Sequence, residues 1–342
     1  MIGSATAHQI IKTFKFNKMK SSIHKIKSRL YIGVAVVCFT FILSNSVNAQ
    51  NESSTSTQPV AVKVKAKPVK NTFNGTWIID NQSIMVPVKG AYEMEIQHRF
   101  GSISNGYEDF WGLFAPSNIR LGVQYVPINN LSIGGGVTKI KKLWDISAKY
   151  AIIKQTPGKY PVSVTYYVNM AFDTRKNVDS SLFKYNSQRY SFFNQLMIAR
   201  KFTDRLSLQA SINLSHQNSV NGFYTKNDST GKVTFKEMLH DHLAASLSGR
   251  YKFTEATAFL FDYNQPLTKH NINNPVPSAS FGVEMHTSGH SFQIFFTNFF
   301  SLSPQQNNLY NQNSPFDYTK DDTGTKMQGG KYLLGFNITR LW

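Results

Sequence analysis

The chain has 342 residues, 37 Lys/Arg against 19 Asp/Glu, a formal charge of +18 and one cysteine, Cys38. A single thiol excludes a disulfide framework. A charge of this size would suit nucleic acid, but the lysines are scattered and the front of the chain reads as an export signal, which argues against that partner.

Residues 1–49 have the layout of a secretory signal peptide for the Sec pathway. Seven Lys/Arg and no acid lie in residues 1–29, the apolar run LYIGVAVVCFTFIL spans 30–43, and the small residues Val47 and Ala49 precede a cleavage point. The run is shorter than the roughly 20 residues that a spanning helix needs. Met19 would begin a signal of ordinary length, which makes residues 1–18 an upstream start-site artefact. Cys38 sits inside the apolar core, followed by FTFIL, and this argues against lipidation. Cleavage after Ala49 removes seven basic residues and takes the formal charge from +18 to +11.

Residues 50–70, QNESSTSTQPVAVKVKAKPVK, are polar and lysine-rich and predict a flexible periplasmic tether. Residues 71–90 are too apolar for a free linker. Phe73, Trp77, Ile78 and Ile79 must be buried, either as a plug inside a larger structure or packed on its periplasmic rim. From residue 91 the hydrophobic period is two almost throughout. Twelve strands are predicted near 91–101, 117–127, 130–140, 142–153, 160–172, 187–201, 205–217, 238–253, 256–264, 277–287, 290–299 and 331–342, with no amphipathic helix between them. Tight connections such as Ile128-Asn129-Asn130, FTDR, FTEA and TSG alternate with long polar ones at 102–116, 173–186, 218–237, 265–276 and 300–330. Only 140–142 breaks the alternation.

Face assignment is consistent along the strands. In VSVTYYVNMAF, Val162, Val164, Tyr166, Val168, Met170 and Phe172 oppose Ser163, Thr165, Tyr167, Asn169 and Ala171. The final GFNITRLW is again a half-apolar strand with an aromatic last residue, a poor edge for a soluble sandwich but a suitable closing strand for a barrel. The predicted fold is all-β: a transmembrane up-and-down antiparallel barrel of about 12 strands over 91–342, in the outer membrane, with both termini in the periplasm. Its apolar face would meet outer-membrane lipid, with Trp144, Tyr150, Tyr190, Tyr251, Phe253 and Trp342 as interfacial aromatics. Its C-terminal strand would be presented to the barrel-assembly machinery.

Several stretches carry a family resemblance: TFNGTWIIDNQS, IQHRFGSISNGYEDFWGL, NIRLGVQY, LSIGGGVTK and SAKYAIIKQ in order, then FFNQLMIARK, SGHSFQIFFTN and GFNITR. Over residues 72–342 the chain resembles the membrane-bound β-barrel family known as domain of unknown function 5777. Its most specific pieces here are His98-Arg99-Phe100-Gly101, Gly289-His290-Ser291-Phe292-Gln293 and the segment around Asn337. Phe114 stands where the family tends to carry an acid, and Ser288 where it tends to carry the first of two glycines. The resemblance implies a barrel in the outer membrane and no particular activity or cofactor.

The polar parity of the strands sends Glu93, Glu95, Arg99, Arg120, Gln124, Asp145, Lys149, Arg250, Lys252, Asp262 and Glu284 into the lumen. Both signs are present, which argues against a simple electrostatic funnel. The set reads either as a ladder of ion pairs filling a narrow barrel or as a constriction that selects a solute. Arg99 and Lys149 are the expected partners of Glu93 and Glu95. Gly134-Gly135-Gly136 lies within a strand, with no helix after it to make a phosphate loop, and marks a bend or a closely approached site. His240, His242 and His286 read as solvated loop-end residues rather than metal ligands, and His290 as a turn residue capping backbone groups. In SHQNS, Ser215 and Ser219 have the opposite parity to His216, so a lipase-like His–Ser pair is disfavoured. Nothing in the pattern implies a metal or cofactor, and oligomeric state is not encoded in it. The function that follows is a narrow or plugged diffusion channel for small polar solutes. The alternatives are a closed barrel that binds a partner through loops 218–237 and 300–330, and more remotely an outer-membrane hydrolase.

Overall fold

In the computed structural model the described residues are 66–178, 182–226, 230–320 and 324–342. The expected signal peptide and residues 50–65 of the tether lie outside them. Twelve antiparallel strands close into a barrel. They are β1 (Tyr92–Ser102), β2 (Asn118–Ile128), β3 (Leu131–Thr138), β4 (Leu143–Ile153), β5 (Ser163–Asp173), β6 (Tyr190–Lys201), β7 (Leu206–Gln217), β8 (Asp241–Lys252), β9 (Thr257–Pro266), β10 (Ser278–His286), β11 (His290–Thr297) and β12 (Leu333–Leu341). Each pairs with its neighbour in sequence, and β12 closes on β1 with Asn337 opposite Gln97 and Thr339 opposite Glu95. Beyond the last strand, Tyr92 and Trp342 exchange both backbone hydrogen bonds, at 3.1 and 2.8 Å. All twelve expected strands are present, with ends displaced by at most three residues.

The faces are the reverse of a soluble barrel. Alternate residues such as Ser163, Thr165 and Asn169 on β5, or Gln209, Ser211 and Asn213 on β7, are buried on the inner side. Leu121, Val123, Ile146, Leu196, Ile212, Leu247, Val283 and Ile294 stand exposed on the outer side. A strand with period two has to place one set inside and one outside. Here the polar set is inside, which is a stable choice only where the surroundings of the outer face are apolar. Trp144, Tyr150, Tyr251, Phe253 and Trp342 are exposed near strand ends.

One end of the barrel carries residues 92 and 341 and the shorter turns at 129–130, 154–162, 202–205, 253–256 and 287–289. The opposite end, the loop end, carries connections 103–117, 139–142, 174–189, 218–240, 267–277 and 298–332. Those loops hold structure without strand periodicity in the sequence. The 218–240 connection contains an exposed hairpin, Gly222–Lys226 paired with Val233–Glu237. The last connection contains a short helix, α1 (Pro304–Tyr310, PQQNNLY), which corrects the expectation that no helix interrupts the strands. Its five buried residues are Gln305, Gln306, Asn307, Asn308 and Leu309, four of them amides, so no apolar stripe announces it.

Residues 73–85 run inside the ring. Phe73, Ile78 and Ile84 pack with the inward Tyr167, Phe193, Met197 and Ala199. Ile79 packs with Leu260 and Phe295. The chain then leaves past Val86 and Ala91, which meet Val126 and Ala151 near the terminal end.

If the outer face sits in hydrocarbon, Val168→Arg in the middle of β5 is expected to cost about 2–4 kcal/mol. Urea titration in lipid vesicles, followed by tryptophan fluorescence, checks this. Thr234→Arg on the exposed hairpin is expected to leave the transition within about 0.5 kcal/mol.

Candidate functional site: the lumen and the segment inside it

The wall is organised around Arg120 on β2. Its Nη1 donates to Glu95 Oε2 at 2.7 Å, and Nε and Nη2 form a fork on Asp145 at 2.9 and 2.8 Å. The guanidinium has room because Gly122 and Gly136 lack side chains. A Cβ at Gly136 would lie 2.6 Å from Arg120 Nη2, and one at Gly122 would lie 2.7 Å from Nη1. The glycine run in β3 is therefore a site of close approach, one of its two expected meanings. Asn169 adds a donor to Asp145 at 3.0 Å, and Gln124, oriented by Ser132 at 2.9 Å, donates to Glu95.

The internal segment meets this wall with polar groups at nearly every residue. Trp77 Nε1 donates to Glu95 Oε1 at 2.9 Å, and the Thr76 hydroxyl donates to Glu93. Lys149 Nζ donates to the carbonyls of Thr76 and Ser83 at 3.2 and 3.3 Å. Asp80 takes Arg99 Nη2 at 2.8 Å on one oxygen, and on the other Thr297 at 2.7 Å and Ser280 at 3.1 Å. Asn81 donates to Asp262 at 2.7 Å and to Asn264 at 3.0 Å, and Gln209 pairs with the Gln82 carbonyl and the Ile84 N–H at 2.7 and 2.9 Å. Glu284 accepts from Asn74 at 3.1 Å and pairs with Arg250 at 3.4 Å. In all, residues 71–84 share hydrogen bonds with side chains of ten of the twelve strands.

Ten of the eleven predicted inward residues are buried on the inner face. Lys252 is the exception in kind. It has the inward parity but sits at the terminal rim, paired with Glu255 of the next turn at 2.6 Å. The expected partnering of Arg99 with the strand carboxylates is corrected: Arg99 serves Asp80 of the internal segment, and Arg120 serves Glu95. The sequence pattern missed Asp80, Asn81 and Gln82, whose only signal was their place in the stretch TFNGTWIIDNQS.

Three stretches that carry the family resemblance converge on this segment. Arg99 and Asn337 hold its tip, with Asn337 Nδ2 donating to the Ile79 carbonyl at 2.8 Å and its Oδ1 accepting from Arg99 at 3.0 Å. Gln293 donates to the Trp77 carbonyl at 3.0 Å. Gly335 leaves room for Phe295 and Arg99, since a Cβ there would lie 2.7 and 2.9 Å from them. The motif histidines are elsewhere. His98 faces outward, flat on Phe336 with ring centroids 5.0 Å apart, and His290 stacks on Phe292 at 5.8 Å. Gly289 accepts the Leu341 N–H at 2.9 Å, which ties the last turn to the closing strand.

On the loop side, α1 folds inward. Gln305 Nε2 donates to Asn169 at 2.7 Å, Gln306 Nε2 to Gln217 at 3.3 Å and Asn308 to Ser215 at 3.2 Å. Between α1 and the internal segment there remains a cavity of about 10 Å³, lined by Trp77, Arg120, Tyr167, Leu302 and Pro304 among others. That is room for about one water.

The remaining histidines differ from expectation in one respect. His242 is fully buried, not solvated, and its Nδ1 lies 2.8 Å from His270 Nε2. His270 Nδ1 accepts the Leu239 N–H at 2.9 Å, so His270 donates from Nε2 to His242. His216 has one ring nitrogen 2.8 Å from Asp241 and the other 2.9 Å from Asn218, so no nitrogen is left for a serine.

Removing Arg120 would strand two buried carboxylates. Arg120→Met is therefore expected to cost about 3–5 kcal/mol, and the triple change Arg120→Met/Glu95→Gln/Asp145→Asn to recover most of it. Urea unfolding of the unsubstituted chain and the two variants checks this.

Residues 73–342 match the family described as membrane bound beta barrel domain (DUF5777). No curated protein matches the chain. Among solved structures, the NanC porin is similar at 10% identity over 73% of this chain and 98% of its own, with a TM-score of 0.40. An outer-membrane channel from Pseudomonas putida F1 is similar at 11% identity over 75% and 97%, TM-score 0.42. LpxR from Salmonella typhimurium is similar at 7% over 73% and 99%, TM-score 0.32. Likeness this distant says nothing of what passes or binds. The closed ring, the outward apolar face and the family match agree: this chain belongs to the family of membrane-bound β-barrel domains.

Proposed function

We propose that this protein is a non-enzymatic outer-membrane channel for small polar solutes, held shut by its own residues 71–86. The observation that carries the reading is the chemistry of the contact between segment and wall. A barrel filled only for rigidity gains nothing from buried ions, because apolar filling of equal volume is as stable or more so. Here the segment is held largely by hydrogen bonds, and the wall behind it carries Glu93, Glu95, Arg99, Arg120, Asp145, Lys149, Arg250, Asp262 and Glu284. Every one of those groups is charged and can be hydrated once the segment leaves, so withdrawal would leave a hydrated, mixed-charge path. On this reading residues 50–70 are the periplasmic tether by which the plug would be pulled.

A second reading has one observation in its favour. The hairpin at 222–237 presents Phe223, Tyr224 and Phe235 to solvent, which suits a partner docking at the loop end of a barrel that never opens.

A cross-link separates the two. A Cβ at Gly75 would lie 3.8 Å from Ser291 Oγ, and the chain after residue 49 has no cysteine. Residues 50–342 carrying Gly75→Cys/Ser291→Cys are expected to be silent in a planar bilayer when oxidised and to show openings after reduction. A chain starting at Ala91 is expected to conduct continuously. Silence in all three, from barrels shown to be folded by heat-modifiable gel mobility, would refute the channel and favour the loop-docking reading.

A further inference from the structure

The loop end contains a second, larger cavity, of about 340 Å³, lined by Lys141, Asn221, Met238, Asn273, Gln306, Tyr310, Gln312 and Lys320. Its size is at the lower end of ligand pockets, about 300–1,000 Å³. Four connections, 139–142, 218–240, 267–277 and 298–332, meet there, and two of the lining groups are held in ways that the fold does not need.

The first is Lys141. The connection 139–142 is the one short link at the loop end, and it is made with two successive non-glycine residues in left-handed backbone, Lys141 at φ 59° and Lys142 at φ 48°. Such residues cost about 1–3 kcal/mol each and persist where the surroundings demand them. The result places the Lys141 ammonium over the Tyr310 ring, 5.4 Å from its centroid, with Nζ donating to Gln306 Oε1 at 2.6 Å. Burial and the neighbouring Arg175 push its pKa down. Asp173, the carboxylate that acts in the other direction, is already forked by Arg175 at 2.8–3.1 Å. A cation partly desolvated between a neutral amide, a ring and another cation is stabilised by an anion.

The second is Gln312. Its Nε2 donates to the carbonyls of Asn273, Asn274 and Asn311 at 3.3, 3.0 and 3.2 Å, which fixes the amide. Gln312 lines the pocket, and its Oε1 is a buried acceptor without a hydrogen-bond partner. A buried, unpaired acceptor costs about 1–3 kcal/mol, and only a donor such as a hydroxyl relieves it.

We propose that this pocket binds a small polyhydroxylated carboxylate, a sugar acid, with its carboxylate on Lys141 and a hydroxyl donating to Gln312 Oε1. Tyr310 and Met238 supply apolar surface for the ring carbons, and the amides of Asn221 and Gln306 lie around its edge. The described lining holds no carboxylate that would repel an anion. It also holds no arginine fork of the kind that recognises phosphate in two-point fashion, which favours a monoanion. The proposal deepens the channel reading and rests on it only for what becomes of the bound solute.

The test is titration calorimetry on the mature chain, residues 50–342, in detergent micelles, with D-glucuronate, D-glucose, acetate and inorganic phosphate as probes. Glucuronate is expected to bind at least about tenfold tighter than glucose, the scale of one desolvated charge contact, and tighter than acetate, which lacks the hydroxyls. Lys141→Asn keeps the left-handed turn and is expected to erase the preference over glucose, while Lys141→Arg retains it. Equal binding of glucuronate and glucose, unchanged binding in Lys141→Asn, or tighter binding of phosphate than of glucuronate would each overturn the assignment. Oxidised Gly75→Cys/Ser291→Cys protein should bind glucuronate as the reduced protein does, because the pocket lies beyond α1 from the plug. Retained binding in a chain that never conducts would therefore refute the channel and leave the site standing, and conduction without binding would do the reverse.

Discussion

The pairing of β12 on β1 is the constraint on which everything else depends. In an apolar surrounding an unpaired strand edge leaves a row of N–H and C=O groups with no water to satisfy them, each at a cost of several kcal/mol. Closing the ring removes the edge, and the two backbone bonds between Tyr92 and Trp342 carry the closure to the last residue. Once the ring is closed, the period of two leaves no freedom: one face must be apolar and outward, the other polar and inward. A lumen of twelve strands is then too wide for its own wall side chains to fill, and the chain supplies filling from both ends.

The two fillings are chemically alike. Residues 73–85 and α1 enter from opposite ends of the barrel, and both reach the wall mainly through amides, hydroxyls and carboxylates. The apolar anchors are few and local: Phe73 and Ile84 against Tyr167, Phe193 and Met197, and Ile79 against Leu260 and Phe295. Buried ionic groups give little net stability but penalise wrong arrangements heavily, because an unpaired charge in the interior has no relief. Arg99 on Asp80 and Lys149 on two carbonyls therefore act as registry devices for the segment. Water can replace the same contacts one by one. This sets a polar plug apart from an apolar core, and it connects the wall chemistry to the gated path proposed here.

At the loop end the same economy recurs. The short 139–142 link forces strain into Lys141 and Lys142, and the strain positions a cation above the mouth rather than among lipid headgroups. The pocket it borders sits above α1, so the molecule carries, from loop end to terminal end, a basic amide-lined bowl, a helix of amides, a cavity of about one water and the internal segment. On the channel reading proposed above, a solute captured in the bowl would be poised above a path closed by residues 71–86.

Much of this was legible in the sequence because it rests on local alternation. Twelve strands, their faces, the short and long connections and the inward set from Glu93 to Glu284 all follow from period two and turn composition, which each stretch carries within itself. The glycine run in β3 could be recognised as a close approach, though not as the bed of Arg120. Contacts between distant segments were not legible: that Asp80 rather than a strand carboxylate takes Arg99, that three separate motifs meet at Trp77–Asp80, that His242 is buried against His270, or that PQQNNLY forms a helix inside the mouth. Periodicity assigns a side chain to a face but not to a partner. Where the buried groups are polar, the partner is chosen by hydrogen-bond geometry across the lumen, and that geometry exists only after the ring has closed.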